Sequence, residues 1–234
     1  MAQKQKYEPP EPDKGDVVHT IVRAGLSSIP VVGGAAVELF QMVFAPPLEK
    51  RRDEWMNQVG ETLRVLEQER GVGIDDLQAN DVFIDTVLQA SQIAFRSSQE
   101  EKRRALRNVI YNAALSDPPE QSLQQIFLNL IDSFTVWHLR ILKLFDNPLE
   151  WAKENEHQFA EVAISGSLAR NILESAFPDL LGKRAMYDQI WQDLYQKGLV
   201  NTDGLHTMMT GQGLLAKRTS DLGTQFLRFV EEPG

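Results

Sequence analysis

Few side chains in this chain could do chemistry. It has no cysteine, which excludes thiolate nucleophiles, disulfides, Cys-ligated zinc and iron–sulfur clusters. Four histidines remain, His19, His138, His157 and His206. Three of them follow a carboxylate by three positions: Asp16, Glu154 and Asp203. On a helix that spacing shares one face. Glu-x-x-His is half of a di-iron centre, which needs two such pairs and two more carboxylates from facing helices. Only Glu154 with His157 fits, and it lies in a polar stretch, so a helix-cap contact is expected there. His138 stands among Trp137, Ile141 and Leu142. A core histidine with a hydrogen-bond partner is expected, since buried polar groups find one. No Gly-x-Ser-x-Gly, no Gly-x4-Gly-Lys and no Gly-x-Gly-x-x-Gly occurs. The expectation is a non-enzymatic protein with no catalytic residue, no metal and no cofactor.

Charge points the same way. The 234 residues carry a formal net charge of −9 and a pI near 5.0. Binding to phosphate backbones usually takes a basic surface, so nucleic acid is not the expected partner. Lys102, Arg103, Arg104 and Arg107 are basic, but Glu100 and Glu101 adjoin them, and a solvated helix face is expected.

The elements that must position any site read as helices. Residues 1–16 are polar with three prolines and read as a disordered arm. Residues 17–48 are apolar, hold three glycines and end against Glu49-Lys50-Arg51-Arg52-Asp53-Glu54. The longest uncharged run there, 24–37, has fourteen residues and contains Pro30, whereas a membrane span takes about 20 apolar residues. The segment reads as two short helices hinged at 28–34, the second over 35–44 and ended by Pro46-Pro47. It is expected to rest against a stripe of Trp55, Val59 and Leu63; on the membrane-or-partner reading a trigger exposes it. Its contact residues would be Ile21, Val22, Leu26, Ile29, Val32, Leu39, Phe40, Val43 and Phe44. Lys50, Arg51 and Arg52 would meet anionic lipid, each contributing about 1 kcal/mol near the surface.

Further helices are expected over 48–70, 81–96 with a face of Ile84, Leu88, Ser91 and Phe95, and from a Ser98-x-x-Glu101 capping box onward. Others follow, with stripes ending at Phe134 and then at 136–145, capped by Thr135. The tail has a different order: helices over 168–177 and 185–197, a short helix over 203–210, a strand over 214–219 and a last helix opened by Ser220-x-x-Gly223. That order is winged-helix-like. The fold class expected is mainly α: an N-terminal helical bundle over 17–148, a connector over 149–165, and a small C-terminal winged-helix-like α+β module over 166–234. The wing would present Lys217 and Arg218. From 161 onward nine acids face seven bases. With no Lys or Arg in 203–210, a protein-interaction wing is favoured over a DNA reader.

The string Ile29-Pro30-Val31-Val32-Gly33-Gly34, then Pro47-x-Glu49-Lys50-Arg51 with Trp55, then Glu100-Glu101-Lys102 and the winged-helix-like tail resemble the bacterial abortive-infection alpha-like proteins. The resemblance covers roughly residues 17–232. It implies antiphage defence and supplies no catalytic residue. The expected protein is cytoplasmic, with peripheral contact at the inner membrane, and acts through a protein partner, self-association or a membrane surface. A winged-helix transcriptional regulator or adaptor is the alternative.

Overall fold

The computed structural model describes residues 34–115, 117–162 and 164–232, except for the side chains of 34–38 and 40. It is mainly helical. The chain divides into two units, Met1–Glu49 and Lys50–Gly234. Helix α1, Gly34–Arg70, contains the boundary.

After α1 come α2 (Ile74–Gln78), α3 (Asp81–Arg96), α4 (Glu100–Ala113), α5 (Gln121–Ser133), α6 (Val136–Asp146) and α7 (Pro148–Glu154). Strand β1 (Gly166–Ser167) leads into a π-helix over Leu168–Leu173, then α8 (Glu174–Ala176) and a 3-10 turn, Pro178–Leu180. Helix α9 (Arg184–Gln196), strand β2 (Met208–Met209), α10 (Gly211–Leu214) and α11 (Asp221–Val230) complete the order. The strands pair antiparallel, Gly166 with Met209 and Ser167 with Met208.

Local chemistry accounts for the helix starts. Asn80 caps α3 by accepting from Phe83 N at 3.1 Å. Asn147 caps α7, with Pro148 in the first turn, where a missing N–H costs nothing. Thr135 opens α6 as expected, and its capping box is closed by the His138 side chain. Ser220 caps α11 through Gly223 N at 3.0 Å.

Several expectations are corrected. The prolines do not end the first helix: α1 passes through Pro46 and Pro47. Neither can donate, so the carbonyls of Met42 and Val43 lose their intrahelical partners there. On α3 the buried face is Phe83, Thr86, Ala90, Ile93 and Ala94, while Ile84 and Leu88 are exposed. The small Ala90 and Ala94 let α4 approach closely, and that outweighs the larger side chains one step round the helix. The Ser98–Glu101 box does not form, because the cap position is Gln99 and Glu101 binds Arg140 instead. Residues 203–210 form no helix, and the strand expected over 214–219 is a helical turn followed by one bridge, Thr219 with Val200. Residues 149–165 begin with the ordered helix α7, whose Trp151 is buried.

The core of residues 50–234 is one cluster reaching from Trp55 to Val230. Helix α11 packs on α4 and α6. Its Phe226 meets Phe127 edge-on at 5.4 Å and Phe134 at 6.1 Å. Each such pair contributes about 0.5–1.5 kcal/mol beyond the area it buries.

Gly223 is required by a close approach, since a Cβ there would stand 2.1 Å from Leu199 O. Gly60, inside α1, has nothing within 4 Å of its would-be Cβ. Opposite signs follow in urea unfolding. Gly223→Ala lowers stability by about 3 kcal/mol through backbone overlap. Gly60→Ala raises it by about 0.5–1 kcal/mol, because glycine weakens a helix interior. Equal midpoint changes for the two variants would contradict this assignment.

Candidate functional site: the apolar end of α1

Between Gly34 and Leu48 only Glu38 and Gln41 are polar. A helix apolar on every side normally lies in a core or a membrane. Here five of the described apolar side chains are exposed: Leu39 64%, Met42 75%, Val43 61%, Phe44 49% and Leu48 45%. The expectation that this segment rests buried is therefore corrected for Leu39, Val43 and Phe44. Trp55 and Val59, on the same helix, are buried, and Trp55 Nε1 donates to Ser91 Oγ at 2.9 Å. Phe40 lies on this helix. Ile21, Val22, Leu26, Ile29 and Val32 lie outside the described residues. Met42 and Leu48 belong with the exposed set and were missed. Leu48 shares its helical phase with Trp55, and phase says nothing of where a core stops.

The charged run follows at once. Lys50 Nζ lies 3.7 Å from Glu54 Oε1. Arg51 and Arg52 are half-buried and carry no ion pair among the described residues. No described helix is long and apolar enough to cross a membrane.

The wing cations have other work. Lys217 Nζ contacts Asp146 Oδ1 at 2.7 Å, and the same oxygen accepts from Thr219 Oγ1 at 2.5 Å and Thr224 Oγ1 at 3.4 Å. Burial pushes the Asp146 carboxyl up, but these hydrogen bonds and the Lys217 charge outweigh it and hold it below the usual range. Arg218 donates to Gly213 O and to Met209 Sδ, and its Nε is buried without a partner. Both presumed wing cations are engaged within the fold, although Lys217 stays 47% exposed at its ion pair.

The three described histidines are likewise engaged locally. His157 Nε2 meets Ser175 Oγ at 3.1 Å, while Glu154 pairs with Lys143. His206 Nε2 meets Asp188 Oδ1 at 2.6 Å. Both histidines bond a residue other than the carboxylate three positions earlier. Among the described residues no cluster of three metal-ligating side chains occurs. His138 is buried; its Nδ1 accepts from Thr135 N at 3.1 Å and its Nε2 lies 3.3 Å from Asp193 Oδ2. Burial lowers its pKa, against the opposing pull of Asp193.

The basic cluster of α4 is not a solvated face throughout. Lys102 is 9% exposed and donates to Asp132 O at 2.7 Å and Phe134 O at 2.9 Å, closing the end of α5. Burial lowers its pKa. Arg103 is bound between Glu54 and Glu100. Comparison with protein families, with curated proteins and with solved structures finds no match.

Asp146 gives a signed pH dependence. A carboxyl held low in the fold adds stability above its unfolded pKa, near 3.9, and loses it as pH falls through the folded value. Asp146→Asn is expected to cost about 1–2 kcal/mol at neutral pH, the usual scale of a charged hydrogen bond. The gap from the unsubstituted chain closes on acidification below about pH 4. Chemical denaturation at a series of pH values reads this, and a gap that widens in acid contradicts it.

Proposed function

We propose that this chain is a non-enzymatic interaction protein that applies residues 17–48 to an apolar surface, with the membrane interface as its first target. One observation carries the reading: five large apolar side chains are exposed within residues 39–48, beside Lys50, Arg51 and Arg52. An amphipathic or apolar helix with a cationic flank lies in the boundary between headgroups and acyl chains, and does so without spanning. Glu49, Asp53 and Glu54 weaken the electrostatic share, so burial of Leu39, Met42 and Val43 is the main driving force. A cytoplasmic protein touching the inner membrane from one side fits that balance. Local use of the described histidines supports a role without catalysis.

The antiphage, abortive-infection setting rests on the sequence resemblance described above. A winged-helix regulator or adaptor is the second reading. The antiparallel strand pair and the Ser220-capped last helix favour it. Commitment of Lys217 and Arg218 to Asp146 and Gly213 weighs against its DNA-binding form.

Flotation with vesicles of phosphatidylethanolamine and phosphatidylglycerol tests the first reading. The full chain is expected to float, and Leu39→Asp with Val43→Asp to lose binding at least about tenfold, since each buried apolar side chain contributes about 1.5–3 kcal/mol. Flotation unaffected by the double substitution, or no flotation at all, sinks the membrane reading. In the latter case a concentration-dependent mass by light scattering, abolished by the same substitutions, would assign the surface to self-association.

A further inference from the structure

A groove of about 410 Å³ lies between the C-terminal half of α1 and α4, within residues 50–234. Polar side chains in its lining include Gln58, Thr62, Arg107, Asn108 and Tyr111. Three of these are satisfied inside the fold. Thr62 Oγ1 donates to Gln58 O at 2.9 Å, and Asn108 Nδ2 donates to Val230 O at 3.0 Å. The Tyr111 hydroxyl accepts from Arg70 Nε at 2.7 Å, and the Arg70 guanidinium stands 5.9 Å from the ring centroid. As an acceptor there, Tyr111 keeps its own O–H hydrogen for another partner.

Two lining groups are left over. Gln58 Oε1 is buried and makes no hydrogen bond. A buried acceptor without a partner is unfavourable and rare in folded chains. Arg107 is half-buried and has no ion pair among the described residues. Carboxylates line the same groove. Glu61 is already held by Arg64, with Nε at 3.0 Å. Glu69 and Glu232 are exposed there, and no ion pair joins either of them to Arg107. Arg107 and these two carboxylates therefore share one groove without pairing with each other.

That arrangement selects a ligand chemistry. A simple anion would meet Arg107 but also the two carboxylates. A simple cation would meet the carboxylates but also Arg107. Neither alone satisfies both Gln58 Oε1, which needs a donor, and Tyr111 O–H, which needs an acceptor. We propose that this groove binds a small zwitterion of the α-amino-acid type, its carboxylate on Arg107 and the Tyr111 hydroxyl and its ammonium on Gln58 Oε1. Glu69 and Glu232 add attraction for the ammonium. A groove of this volume is within the size range of small-molecule sites, about 300–1,000 Å³. This binding is independent of the membrane reading, because it uses no residue before Gln58.

Thermal melting and titration calorimetry of the full chain against each proteinogenic amino acid test it. At least one is expected to raise the melting temperature and give a saturable heat. Its decarboxylated amine and its N-acetylated acid, each lacking one charge, are expected to bind at least about tenfold more weakly, the scale of one lost charged contact. Arg107→Gln is expected to weaken binding by a similar factor. Gln58→Leu separates a ligand-reading group from a structural one: it should weaken binding and yet raise the melting temperature of the unliganded chain, because it removes the unpaired acceptor. No response to any amino acid overturns the proposal. So does equal binding of the single-charge analogues, undiminished binding by Arg107→Gln, or a lower unliganded melting temperature in Gln58→Leu.

Discussion

The last helix is held at both ends by polar groups from the middle of the chain, and the fold of residues 50–234 depends on that clamp. At its start, Asp146 at the end of α6 gathers Lys217, Thr219 and Thr224 on one carboxylate oxygen. At its finish, Asn112 Nδ2 donates to the carbonyls of Arg228, Phe229 and Glu231, and Asn108 to that of Val230. The final carbonyls of a helix have no partner of their own, so two asparagines of α4 supply what the helix lacks. Between the clamps, Phe226 and Phe229 enter the aromatic layer of Phe127 and Phe134. The bundle would have an open face without them. Gly223 allows the approach, as no side chain fits against Leu199 O.

This clamp also decides which side chains are left for function. Lys217 and Arg218 look in sequence like a basic wing tip, yet one anchors the helix start and the other ties together the turn around Met209 and Gly213. His138 looks like a core histidine and is one. It does more than fill space, because its Nδ1 closes the cap of α6 and its ring stacks on Phe134 at 4.5 Å. Lys102 closes α5 in the same way from α4. Several polar groups near the core, His138 and Lys102 among them, are thus consumed by helix ends. The surfaces proposed to carry function are the apolar end of α1 and the groove lined by Gln58 and Arg107.

Much of this was legible in the sequence where a single helix and its cap were at stake. The Thr135 and Ser220 caps are local, and local chemistry dictates them. The misreadings were of tertiary origin. Ile84 and Leu88 are larger than Ala90 and Ala94, but close helix approach favours the small face. Residues 203–210 have helical spacing yet form bends and the short strand Met208–Met209, because Leu205 O accepts from Ala169 N and that strand pairs with Gly166 and Ser167. The π-helix over Leu168–Leu173 has no sequence signature of its own. The groove was hidden for the same reason: Arg107 sits in a run that reads as solvated, and only the placement of α1 beside α4 brings Gln58 into the same space.

The run through Pro46 and Pro47 bears on what the apolar end of α1 can do. Each interior proline costs a helix about 3 kcal/mol, from a lost hydrogen bond and a clash with the preceding turn. Two in succession stand just before the boundary at Glu49 and Lys50. Ala35, Ala36, Leu39 and Met42 are good helix formers that act against that cost, and an outside contribution would add to them. Apolar side chains facing water contribute none. Burial in an apolar surface does, because it removes Leu39, Met42, Val43 and Leu48 from solvent and makes internal pairing of the backbone obligatory. On the proposed membrane reading, helix formation before the prolines and binding to such a surface are coupled, while residues 50–234 keep their own core.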